Sequence, residues 1–94
     1  MNDLFHKKIT VPAGVLRREL SGESVLLNLQ TESYFGLDAV GSEMWKALIE
    51  SPSIENAFDA LALNYDVDPE RLRLDLGAYI QKLVALGLLQ IDAV

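Results

Sequence analysis

Arg71, Leu74, Asp75, Ala78, Lys82 and Ala85 recur at short intervals near the end of the chain. On a helix this spacing gathers them onto one side of the cylinder. Their types suit recognition rather than reaction. Arg71, Asp75 and Lys82 supply directional contacts, while Ala78 and Ala85 are small enough to admit another chain. A second set, Tyr34-Phe35-Gly36-Leu37, is short, apolar and uncharged. As the last strand of a sheet it would offer unpaired N–H and C=O groups to an extended chain. Such a chain would add as a further strand and send alternate side chains into a groove beside the helix.

Bond-making chemistry has little to work with. The chain has no cysteine, hence no thiolate, disulfide or zinc–thiolate site. His6 is the single histidine, so no histidine cluster can form. No Gly-rich phosphate loop is present. Asp66 and Asp68 make an acidic pair, but Asp68 is better used as a helix cap and no metal loop surrounds it. No catalytic residue, metal ligand or cofactor is expected.

Ninety-four residues make one domain. At that size folding hides only about 60–65% of the unfolded chain's surface, enough for one modest core. Half the residues are apolar, too many for a disordered chain. Eight basic and fourteen acidic residues leave a net charge of −6. This disfavours nucleic acid and anionic membranes as partners, since both require basic surface. Met1 to Thr10 has the wrong composition for a signal peptide. No window reaches the roughly 18 apolar residues of a membrane span. The expectation is a cytoplasmic protein.

The first third reads as strands. Val15–Leu20, Val25–Leu29 and Tyr34–Leu37 are short runs divided by Ser21-Gly22-Glu23 and Gln30-Thr31-Glu32-Ser33, which predicts a meander of antiparallel hairpins. The rest has helical period. Asp38 can cap a helix whose apolar face is Val40, Met44 and Leu48, with Trp45 and Ile49 beside them. Ser53 caps a second, with Ile54, Ala57, Phe58, Leu61, Ala62 and Tyr65 in one stripe. Asp68-Pro69-Glu70 opens a third, which runs to about Leu86 and stops at Gly87. Its core stripe is Leu72, Leu76, Tyr79, Ile80 and Leu83. Leu74 lies about 200° round the helix from Leu72, so one core cannot bury both. Either Leu74 is an ordinary exposed leucine, or its row is a groove wall. The fold class expected is α+β: a three-stranded antiparallel sheet followed by three helices, shaped like a winged helix-turn-helix. Residues 1–13 read as an N-terminal tail and 14–91 as the domain.

The run from Val25 to Gly41, with Trp45 and Leu48 after it, resembles the PqqD family. So do Tyr65-Asp66-Val67-Asp68, Asp75 and the closing Leu83-Val84-Ala85-Leu86-Gly87-Leu88-Leu89. The resemblance covers about residues 14–90. It implies a RiPP recognition element, which binds the leader segment of a ribosomally made precursor peptide and delivers it to a modifying enzyme. The leader would lie as an added strand beside the third strand and third helix. The partner enzyme would be a radical SAM enzyme, as in pyrroloquinoline quinone biosynthesis, or a leader peptidase, as in lasso-peptide pathways. Tyr34–Leu37 and Val40-Gly41 look more like the lasso-type members.

By position, the resemblance makes Tyr34, Phe35, Gly36 and Leu37 the peptide-facing strand. It makes Arg71, Leu74, Asp75, Ala78 and Lys82 the helical wall. Leu74 and Ala78 would line an apolar pocket; Arg71 and Lys82 would meet acidic leader residues. One departure stands out: the family's hairpin usually carries Thr-Gly, and here it is Thr31-Glu32. Glutamate tolerates positive φ poorly, which leaves the third strand's register open. Two alternatives stay open beside this reading. A winged-helix DNA-binding regulator is disfavoured by a pI near 4.5. A structural dimerisation module is the other, because exposed strand edges can pair with each other into a homodimer.

Overall fold

The computed structural model describes residues 4–20 and 23–92. Strands β2 (Val15–Leu20), β3 (Glu23–Asn28) and β4 (Ser33–Leu37) form an antiparallel sheet in the order β2-β3-β4. Helices α1 (Ala39–Glu50), α2 (Ile54–Asn64) and α3 (Pro69–Ala85) follow. This is the expected α+β arrangement of three strands and three helices. The Ser21-Gly22 turn between β2 and β3 lies outside the described residues.

Alternation along β3 decides which face the helices cover. Ser24, Leu26 and Asn28 are buried, while Val25 and Leu27 are half-buried on the other side. Leu26 opposes Phe35, and Ser24 opposes Leu37, so Phe35 and Leu37 share the helix-facing side. On the outer face Leu16, Leu27 and Tyr34 line up directly across the three strands.

The β3–β4 turn resolves the Thr31-Glu32 departure. Glu32 itself takes the left-handed conformation, at φ 60°. Asn28 makes this tolerable. Its carboxamide oxygen accepts from Gln30 N at 2.9 Å and Thr31 N at 3.2 Å, and its Nδ2 donates to Gly87 O at 2.7 Å. The buried Asn28 therefore shapes the turn and ties the hairpin to the end of α3. The register is fixed, with Asn28 opposite Ser33.

The caps fall where the sequence places them. Asp38 accepts from Gly41 N at 2.7 Å, Ser53 from Asn56 N at 3.2 Å and Asp68 from Glu70 N at 3.1 Å. α3 ends in a Schellman motif: Leu88 N donates to Leu83 O and Gly87 N to Val84 O, with Gly87 at φ 75°. Leu72, Leu76, Ile80 and Leu83 meet Ile54, Phe58 and Leu61 in the core with Leu26, Trp45 and Leu48.

Two expectations about packing need revision. In α1 the buried face is Gly41, Met44, Trp45 and Leu48, whereas Val40 and Ile49 are about half exposed. Val40 sits in the first turn of α1, half exposed on the groove that α1 shares with β4. The segment read as a tail contributes to the core: Leu4 and Phe5 are buried, and Lys8–Thr10 (β1) pairs with Gln90–Asp92 (β5). Phe5 meets Phe58 edge to face at 5.9 Å, and the Arg73 guanidinium stacks 4.4 Å from both rings. Two apolar residues in a polar run carry no periodic signal, so this docking is visible only in three dimensions.

Candidate functional site

The sheet has two outer strands. β2 carries Arg17, Arg18 and Glu19 in succession, and such charges discourage a further strand from pairing. β4, Ser-Tyr-Phe-Gly-Leu, has no charge and no proline. A side chain built at Gly36, which opposes Val25 on the outer face, would meet nothing within 4 Å, so that face of the strand is uncovered there.

A groove of about 400 Å³ runs between β4, the first turn of α1 and α3. Phe35, Val40, Met44 and Tyr79 make its apolar lining, and Asp75 stands on the α3 rim. Lys82 Nζ lies 5.5 Å from the centre of the Phe35 ring, at the hairpin end of the groove. At the Leu37 end the groove opens onto a wider cleft of about 700 Å³, rimmed by Glu19, Glu23, Asp38 and Glu43 around Arg17. The site is therefore polarised, with an ammonium at one end and carboxylates at the other.

Tyr79 closes the floor. Its hydroxyl donates to Gly41 O at 2.9 Å, joining α3 to the first turn of α1. Burial raises its pKa and the nearby Asp38 carboxylate adds to the rise, opposed by Arg17, so the phenol stays neutral well past the ordinary tyrosine range. Tyr65, at the edge of the wider cleft, is raised by burial and by Glu43.

The sequence-predicted residues divide. Tyr34–Leu37 form the open edge as expected, with Tyr34 73% exposed and Leu37 buried at 4%. Asp75 and Lys82 face that edge. Arg71 reaches Asp75 at 3.4 Å in an exposed i,i+4 pair, worth about 0.2–0.5 kcal/mol. Leu74 and Ala78 belong elsewhere: they line a separate groove of about 420 Å³ with Leu4, Phe5, Arg73 and Gly77, on the other flank of α3. Successive helical residues are rotated by about 100°, so Asp75 and Leu74 fall on opposite sides of the crest. The residues that sequence reasoning missed are Val40, Met44 and Tyr79. Only Tyr79 carried a signal, since a phenol in a core stripe must find a partner for its hydroxyl.

No group of three or more His, Cys, Asp or Glu side chains suited to a metal occurs among the described residues. No described helix is long and apolar enough to cross a membrane. The exposed face of α3 presents Arg71 paired with Asp75 and Arg73 held by Glu55 at 3.2 Å, which gives the DNA-binding alternative no support.

The family model described as Coenzyme PQQ synthesis protein D (PqqD) matches residues 23–89, well over half of the chain. None of the curated proteins compared with the chain matches it. Among solved structures it is similar to TbiB1 in complex with the TbiA(beta) leader peptide, at 38% identity and a TM-score of 0.78, covering 86% of this chain and 94% of that one. A lasso peptide synthetase B1 complexed with the leader peptide shares the fold, at 17% identity and a TM-score of 0.78, covering 88% of this chain and 98% of that one. The family match, which spans β3 to the end of α3, leads to one conclusion: the chain belongs to the PqqD family.

Proposed function

We propose that this protein is a RiPP recognition element of the lasso type. It binds the leader segment of a precursor peptide and hands it to a modifying enzyme or leader peptidase without catalysing a reaction itself. The likeness to TbiB1, solved with a leader peptide, is the observation that carries this reading. The open β4 edge beside an apolar groove supports it, because that geometry suits strand addition.

On this reading the leader's backbone pairs with Tyr34–Leu37. An apolar leader side chain enters between Phe35, Val40, Met44 and Tyr79. An acidic leader residue suits Lys82, and a basic one suits Asp75 and the carboxylates beyond it. Leu74 and Ala78, across the crest, are left to the partner enzyme or to solvent. The encounter belongs in the cytoplasm, where precursor peptides are made. A homodimer through β4 would compete with the leader for one edge, so leader binding and dimerisation should exclude each other.

Fluorescence anisotropy with labelled TbiA(beta) leader tests the reading. Saturable binding is expected at micromolar concentrations; no binding below about 100 µM, where affinity falls to about −5.5 kcal/mol, contradicts it. Tight, salt-sensitive binding to duplex DNA would restore the regulator alternative.

A further inference from the structure

We infer that Tyr79 is the positioning residue of this groove: its hydroxyl, bonded to the Gly41 carbonyl, holds α1 at a fixed distance from α3 and so sets how large an apolar side chain can enter. The inference rests on the leader-binding reading above and adds a determinant of leader selectivity to it.

The Gly41 residue is held from both sides. Its N–H donates to Asp38 Oδ1 at 2.7 Å, and its C=O accepts from Tyr79 Oη at 2.9 Å. It is also packed tightly on β4: a Cβ there would meet Asp38 Oδ1 at 3.3 Å and Leu37 Cδ2 at 3.4 Å. The first turn of α1 is thus fixed to the end of β4, and Tyr79 fixes α3 to that turn. Among the described residues no other side-chain hydrogen bond joins α3 to α1 or β4, since Arg71 bonds within its own helix and Arg73 reaches α2. Val40 and Met44 project from α1 into the groove, and Phe35 and Tyr79 complete the lining. Removing the hydroxyl leaves the ring in place but releases the spacing between the walls. A cleft whose walls are released still accepts a small side chain, but it loses complementarity to a large one.

The test pairs a protein variant with a peptide variant. An alanine scan of the labelled TbiA(beta) leader identifies the position whose trimming costs wild-type binding most. Tyr79→Phe is expected to weaken the intact leader about tenfold, yet weaken the leader trimmed at that position less than about twofold. Equal losses for both leaders would overturn the inference, because a merely structural tyrosine does not distinguish them. In the free protein, the Ser42 amide resonance, next to the Gly41 carbonyl, is expected to shift in Tyr79→Phe; an unmoved Ser42 amide likewise overturns it. If Tyr79→Phe does not fold, Tyr79→Met retains apolar bulk without the hydroxyl and faces the same two outcomes. A wild-type protein that ignores the leader overturns the recognition reading itself, a result distinct from equal losses.

Discussion

The two outer strands of the sheet flank the same β3 yet differ in what they offer a passing chain. β2 turns a run of arginine and glutamate to its surroundings, and its helix-facing Arg17 donates to Ser24 Oγ at 3.1 Å. β4 is uncharged and lies along a groove walled by α3. Adding a strand to β2 would require its charged side chains to be desolvated or displaced; adding one to β4 requires neither. The contrast teaches that recognition here depends on which edge is left unprotected, and that the helix beside that edge then supplies selectivity.

The sharpest way to break this contrast is to alter one edge at a time. Phe35→Ala removes a groove wall and is expected to weaken leader binding more than about tenfold, whereas Arg18→Ala, on β2, should change it by less than about twofold. Anisotropy titrations of both variants decide it, and equal losses would remove the distinction between the edges. The flanks of α3 give the next test. Leu74→Asp should fold normally, because Leu74 is 71% exposed, and should weaken binding less than about threefold. A loss equal to that of Phe35→Ala would place the leader across the crest of the helix.

Two smaller effects probe what supports β4. The raised Tyr79 pKa means the folded state holds that proton more tightly than the unfolded chain does. Its contribution is whole below the unfolded value of about 10 and is lost as pH climbs through the folded one. Urea midpoints should therefore fall above about pH 10, and fall less steeply in Tyr79→Phe. A wild-type slope matched by the variant would assign the alkaline loss to other groups. Glu32→Gly relieves the left-handed glutamate at φ 60° and should raise stability by about 0.5–1 kcal/mol. Chemical denaturation measures it, and a lower midpoint would show that the turn does not retain this conformation.

Much of the fold was legible because its signals are local. Asp38, Ser53 and Asp68 each precede an apolar period and each caps a helix. Leu72, Leu76, Ile80 and Leu83 declare the buried face of α3 by spacing alone. The site was legible only in part. Tyr34–Leu37 stands out as an edge because it is the last run of the meander. The row containing Arg71, Leu74, Asp75, Ala78 and Lys82 marked the exposed side of α3, but helical spacing cannot say which flank faces β4. That depends on how α3 crosses the sheet, which long-range contacts decide. Leu4 and Phe5 were hidden for the same reason: their partners, Phe58 and Arg73, are far away in sequence. Tyr79 was assigned to the core because its ring shares the core's period; its hydroxyl partner on α1 could not be read from α3.

Amide hydrogen exchange, with and without saturating TbiA(beta) leader, tests the central claim most directly. Strand addition to β4 predicts that amides within Tyr34–Leu37 gain protection while those of Val15–Leu20 keep their free-state rates. Protection gained along β2 instead, or bound leader with no change at β4, would contradict it.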